Sequence, residues 1–95
     1  MAAIATTLEL VDAGQHVVAM DDLYGGTGRL LRRVRQRSQG LDIDFADLSD
    51  LNRAEAAITP QTRLVWVETP TNPMLKIADL AAIATIARAK APDAI

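Results

Sequence analysis

The sequence contains no cysteine. That excludes disulfide staples, thiolate metal sites and cysteine nucleophiles, and it fits a reducing, cytoplasmic setting. A single histidine, His16, is too few for a multi-histidine metal site within one chain. It is also the sole candidate base for a Ser-His-Asp arrangement, which lacks enough members, and with no visible partner His16 reads as structural. No metal site is expected. No apolar run approaches the roughly 18 residues of a membrane span, and no basic region followed by an apolar one opens the chain as a secretory signal would. Net charge is −2, so there is no bulk attraction to nucleic acid, and no membrane partner is expected. Aromatics are scarce: Tyr24, Phe45 and Trp66 are the full set. What remains is an ordinary globular mixture, 49% hydrophobic and 23% charged, in 95 residues, one domain at most.

Hydrophobic periodicity divides the chain into alternating elements. Ile4, Leu8 and Val11 recur at helical spacing within residues 1–12, and Gly14 suits the left-handed position that ends a helix. Residues 16–20, HVVAM, form a short valine-rich run with the length of a buried strand. Residues 21–28, DDLYGGTG, read as a loop, since three glycines in four residues disfavour regular structure. Residues 29–38 are helical again, with Leu30, Leu31 and Val34 on one side, Arg29, Arg32, Arg33 and Arg37 largely opposite, and Gly40 ending the element. Residues 41–46 alternate, Ile43 and Phe45 against Asp42 and Asp44, as a charged edge strand does. Ser49 or Asp50 caps a short helix reaching Ala57. Residues 63–67, RLVWV, form another continuous apolar strand. ETPTNP follows at 68–73, and then a helix over 78–90 carries Leu80, Ile83, Ala84 and Ala87 on one face, with Asp79 at its positive end.

Such alternation argues an α/β fold with a parallel sheet covered by helices. Ligands of these sheets sit outside the carboxyl ends of the strands, where DDLYGGTG and ETPTNP lie. In the first loop Tyr24 either stacks on a flat ligand or packs on the next helix as part of a simple turn. GGTG is neither a Walker loop nor GxGxxG. In the second loop Glu68, Thr69, Thr71 and Asn72 offer polar groups on a backbone stiffened by Pro70 and Pro73. The alternative is a plain strand-to-helix connection. Glu68 is a candidate general acid or base, but no second carboxylate is placed by sequence. The five arginines at 29–37 read as a solvated helix face, because no aromatics interleave for base stacking.

MDDLYGGTGRL at 20–30, AAITPQTRLVW at 56–66 and WVETPTNPMLKIADL at 66–80 together resemble the cystathionine γ-synthase / cystathionine γ-lyase family. These are the pyridoxal-phosphate (PLP) enzymes of cysteine and methionine metabolism, and the likeness runs from Met1 to about Ala89. It implies a three-layer sandwich with a mostly parallel sheet, part of the large PLP-binding domain of fold-type I (aspartate-aminotransferase-like) enzymes. It also places strand 16–20 between strands 42–46 and 63–67. Tyr24 matches the tyrosine that stacks on the cofactor ring, and Asn72 the asparagine that hydrogen-bonds its phenolic oxygen. Glu68 matches a nearby acidic residue. Met1 matches the last residue of a Ser-Gly-Met turn whose amides bind the phosphate.

The resemblance further implies that the matching lysine, the aspartate paired with the pyridinium nitrogen and the substrate-binding arginine lie beyond residue 95. Lys76 and Lys90 do not match the lysine, so no catalytic residue is assigned. The expectation is a partial PLP-binding domain over residues 1–95, lacking the lysine-bearing part and the C-terminal small domain. Its parent would be a transsulfuration enzyme performing β/γ-elimination or γ-replacement on cystathionine, homocysteine, cysteine, methionine or an acylated homoserine. That parent would be a homotetramer built from dimers. The isolated chain is expected to be inactive. The other readings are a non-catalytic phosphate- or nucleotide-binding module and an interaction module. Two further expectations follow: at least one cis bond among Thr69-Pro70 and Asn72-Pro73, and an unpaired, aggregation-prone edge at 63–67.

Overall fold

A computed structural model describes residues 1–95. Its core is a parallel three-stranded sheet in the order β2-β1-β3, with β1 at His16–Met20, β2 at Asp42–Ala46 and β3 at Thr62–Trp66. The central strand is buried along its whole length, as a continuous apolar run covered on both faces must be. β2 is the charged edge strand anticipated from its alternation, with Ile43 buried and Asp42 and Asp44 exposed. Its register pairs Val17 with Ile43 and Ala19 with Phe45.

The crossover from β1 to β2 moves one way across the sheet, and that from β2 to β3 moves back past β1. If both are right-handed, their helices lie on opposite faces. The contacts agree. The helical stretch between β1 and β2 lies with α1 (Ala2–Leu8), joined to it by Gln39 and by the Arg35–Glu9 ion pair at 3.1 Å. Between β2 and β3, α4 (Leu51–Ala57) lies against α5 (Leu80–Lys90). The result is the three-layer arrangement, with Leu8, Val11, Val17, Val18, Met20 and Leu31 in the core. No helix is long and apolar enough to cross a membrane.

Local chemistry sets the boundaries. Asp50 is the cap of α4, accepting from the Asn52 and Arg53 amides at 3.0 and 3.4 Å. Asp79 caps α5 through the Ala82 amide at 3.0 Å. Gly14 and Gly40 take φ of +82° and +63°, the left-handed conformation that ends an element without a Cβ clash.

Four expectations need correction. The first helix is regular only to Leu8; beyond it, Glu9, Leu10 and Val11 donate to carbonyls three residues back, a tightened last turn. The glycine-rich stretch is not loop throughout. Helix α2 occupies Gly25–Arg29 and continues through a π-helical segment, Leu30–Arg35, into α3 (Gln36–Ser38). The wider π turn rotates Val34 away from the face that Leu31 buries, and Val34 is 47% exposed. Arg35 is carried inward instead, and Arg32 lies over the Phe45 ring at 4.0 Å. Arg29, Arg33 and Arg37 remain solvated. His16 does have partners: Nδ1 meets Thr62 Oγ1 at 2.7 Å and Nε2 meets Asp44 Oδ2 at 2.8 Å. One imidazole thus ties all three strands together, at the end of the sheet where the strands begin. Finally, the edge of β3 is partly paired, because the Ile95 amide donates to Arg63 O and its carbonyl accepts from the Val65 amide.

Candidate functional site

The direction of crossover reverses at β1, and ligands of such sheets sit outside the carboxyl ends of the strands at that point. Two segments meet there, Asp21–Tyr24 after β1 and Val67–Pro73 after β3. Both X-Pro bonds of the second, Thr69-Pro70 and Asn72-Pro73, are cis.

Glu68 joins the segments at their base. Its Oε2 accepts from the Tyr24 amide at 2.9 Å, and its Oε1 from the Trp66 indole N–H at 3.1 Å. With both oxygens holding N–H donors, Glu68 is a clasp rather than a free acid or base. It also sets a negative charge beside the first turn of α2, whose N-cap is Tyr24 and which has no side-chain cap.

Tyr24 and Met1 are brought together over Gly26. A Cβ on Gly26 would lie 2.6 Å from Tyr24 Cε1 and 2.9 Å from the Met1 sulfur. The glycine is therefore needed for close approach, even though glycine is a poor helix former. The Tyr24 ring is 53% exposed, so it rests on Gly26 and Met1 while much of its surface stays open. Asn72 is exposed, and its carboxamide has no partner inside the chain.

The turn that carries Asn72 is closed by Thr71, a residue of 1% exposure. Thr71 N–H donates to Lys76 O at 2.9 Å, and Thr71 O accepts from the Leu75 amide at 3.1 Å. Its hydroxyl accepts from the Lys76 amide at 2.8 Å and donates to Asp22 Oδ2 at 2.5 Å. Leu75, at φ 56°, takes the left-handed conformation within this turn. Thr69 Oγ1 accepts from the Ala78 amide at 3.0 Å, which leads the chain toward α5. Asp22 and Gly26 were missed as site residues. The signal for Gly26 was present in GGTG, but it was read as flexibility rather than proximity.

Neither lysine is free. Lys76 Nζ lies 3.2 Å from Asp47 Oδ2 and 3.3 Å from Asp21 Oδ1. The hydrogen bond to Asp47 leads in raising its pKa above the usual lysine value, with Asp21 adding to it against some desolvation. Asp47 is held below the usual carboxylate value, first by the Ser49 hydroxyl and then, against desolvation, by Lys76. A lysine charged in this way is a poor nucleophile toward a carbonyl. Lys90 Nζ donates to the Glu55 carbonyl oxygen, on the face where α4 and α5 meet.

The family model for Cys/Met metabolism PLP-dependent enzymes matches residues 1–95. The chain belongs to this family. It is 56% identical over 90 residues to a cystathionine beta-lyase of Coxiella burnetii, covering 95% of the chain and 23% of that protein. It is 55% identical over 86 residues to the cystathionine gamma-lyase of Rattus norvegicus, covering 90% of the chain and 21% of the relative. Among solved structures, the cystathionine gamma-lyase from Lactobacillus plantarum complexed with L-serine superposes with a TM-score of 0.90 at 46% identity. That match covers 99% of the chain and 24% of the other. The chain thus spans about a quarter of the length of the relatives it matches, and within that quarter it shares their α/β fold.

The residues present fit one wall of a site for the family's cofactor, pyridoxal 5'-phosphate. An open aromatic face braced from behind by Gly26 suits a flat ring, and a free carboxamide suits a polar substituent on it. Lys76 is not offered to the cofactor, since Asp21 and Asp47 hold its ammonium.

Proposed function

We propose that residues 1–95 form part of the large PLP-binding domain of a transsulfuration enzyme. In this reading they supply the cofactor's ring-stacking wall. The observation that carries the proposal is the convergence of Tyr24 and Met1 on Gly26, beside the unpartnered Asn72 and at the reversal point of a family-matched sheet. Tyr24 would lie against the pyridine face. Asn72 would donate its carboxamide N–H to the phenolic oxygen, and the Met1 backbone would face the phosphate. Glu68 would keep Tyr24 in place through the backbone amide. When bound, the cofactor supplies an electron sink for carbanion chemistry at an amino-acid α-carbon.

The names of the relatives support cystathionine as the substrate class; we extend it to a related sulfur-containing amino acid or homoserine ester, with a β- or γ-substituent eliminated or replaced. Lys76, paired with two carboxylates, supports a chain that does not bond the cofactor through that lysine. A cytoplasmic, tetrameric parent enzyme is part of the same proposal, the absence of cysteine being consistent with a reducing compartment.

The test is equilibrium dialysis of the 95-residue chain against pyridoxal phosphate, followed by absorbance. The chain is expected to retain cofactor reversibly, and N72A and Y24A to retain less. Equal retention by all three, or preferential retention of ATP, would contradict the proposal.

A further inference from the structure

We propose that Asp22 is a positioning residue of this site: it fixes the Tyr24 ring and the Asn72 carboxamide in one relation to each other. The inference rests on the cofactor reading above. Asp22 stands two residues before Tyr24, and its partner Thr71 stands one residue before Asn72, so the bond between them joins the two ligand-facing groups by the shortest route through the chain.

The direction of that bond is determined. A carboxylate only accepts, and a threonine hydroxyl has one proton. Because Thr71 Oγ1 already accepts from the Lys76 amide at 2.8 Å, its proton goes to Asp22 Oδ2 at 2.5 Å. The same Oδ2 accepts from the Met74 amide at 2.8 Å, one residue past the cis Asn72-Pro73 bond. Asp22 therefore grips the Asn72 turn on both sides of Asn72.

Hydrogen bonds to an ionised acceptor are the stronger kind, and the Thr71 side of this one is buried. The other tie between the two loops on that side, from Lys76 Nζ to Asp21, involves a long and flexible side chain in partial contact with water. Glu68 secures Tyr24 but makes no bond to the 71–76 turn. Without Asp22 the two loops stay joined at their base by Glu68, and the 71–76 turn loses its fixed register to Tyr24.

The experiment is a ¹H–¹⁵N NMR titration of the chain with pyridoxal phosphate, on the parent, D22A, D22N, T71V and T71S. In the parent, the Tyr24 amide and the Asn72 side-chain amide are expected to shift together with one dissociation constant. T71S keeps the hydroxyl and should match the parent. D22A and T71V should retain the Tyr24 response while the Asn72 response weakens about tenfold or disappears. D22N, which keeps a neutral acceptor, should fall between and carries the test if D22A does not fold. A parallel loss of both responses, together with a lowered melting temperature, would mark a purely structural role and overturn the proposal. Unchanged responses in D22A and T71V would overturn it too. No response in the parent overturns the cofactor reading itself, and the positioning role with it. A parent response that D22A leaves intact overturns the positioning role alone.

Discussion

Replacing Gly26 by alanine separates the function of the site from the stability of the fold. The added Cβ would lie 2.6 Å from Tyr24 Cε1, so the ring must retreat by about 0.8 Å to reach the 3.4 Å of an ordinary contact. Met1, whose sulfur would be 2.9 Å away, must also give. Both neighbours are more than half exposed, at 53% and 57%, and can swing into solvent. The about 1–3 kcal/mol of a typical overpacked core is therefore not expected. Alanine in a helix also gains up to about 1 kcal/mol over glycine. The net change in folding stability should be within about 1 kcal/mol of zero. Cofactor binding should respond differently, because a displaced ring loses its stacking contribution of about 0.5–1.5 kcal/mol, or roughly two- to twelvefold in affinity. Trp66 is the sole tryptophan, so its fluorescence reports the titration, and urea denaturation reports stability. An unchanged affinity in G26A would refute the claim that Tyr24 and Met1 are posed over this glycine. A loss of several kcal/mol in stability would refute the claim that they can move aside.

Other outcomes follow from the same geometry. D50A removes the cap on the Asn52 and Arg53 amides and should cost about 1 kcal/mol in urea denaturation. L8A empties a fully buried core position and should cost about 2–5 kcal/mol in urea denaturation. Because Asp47 has a folded pKa below the ordinary 3.8, its contribution is complete above that value and is lost as pH falls beneath it. Because Lys76 has a folded pKa above 10.5, its contribution is complete below that value and is lost as pH rises past it. S49A should flatten the acid limb of the stability–pH curve more than K76M does, while only K76M should flatten the alkaline limb; the reverse order would contradict the causes assigned here. Borohydride reduction in the presence of pyridoxal phosphate should leave Lys76 unlabelled by peptide mass spectrometry, since two carboxylates hold it charged; preferential labelling there would show that they do not.

The strands were legible because burial leaves a simple mark, complete along β1 and at alternate positions of β3. HVVAM and RLVWV are uninterrupted apolar runs, and the aspartates of β2 announce an edge. Caps were legible in part: Asp50 was one of two candidates with Ser49, and Asp79 stood out as a charge at the positive end of its helix, where the structure makes both of them N-caps. Sequence failed where one residue type serves two opposed purposes. Glycines at 25, 26 and 28 suggest freedom in isolation, yet Gly26 is required by crowding that only the fold creates. Helical wheels assume one turn length, so the π segment moved Val34 outward and Arg35 inward without any change in composition. The partners of His16 lie 28 and 46 residues away, on two other strands, and no local pattern reports them. Likewise, ETPTNP marked a polar loop at the end of β3, but the Asp22–Thr71 bond spans 49 residues and becomes visible only when the two strand ends are side by side.

The central claim is that the two strand-end loops form one wall of a cofactor site. The most direct measurement is a map of which backbone amides respond as pyridoxal phosphate is added to the chain. The account predicts shifts at Tyr24, Gly26 and Asn72, and none at His16 or Thr62 at the other end of the sheet. Shifts centred on His16, on the arginines of the π segment, or at no defined place would contradict it.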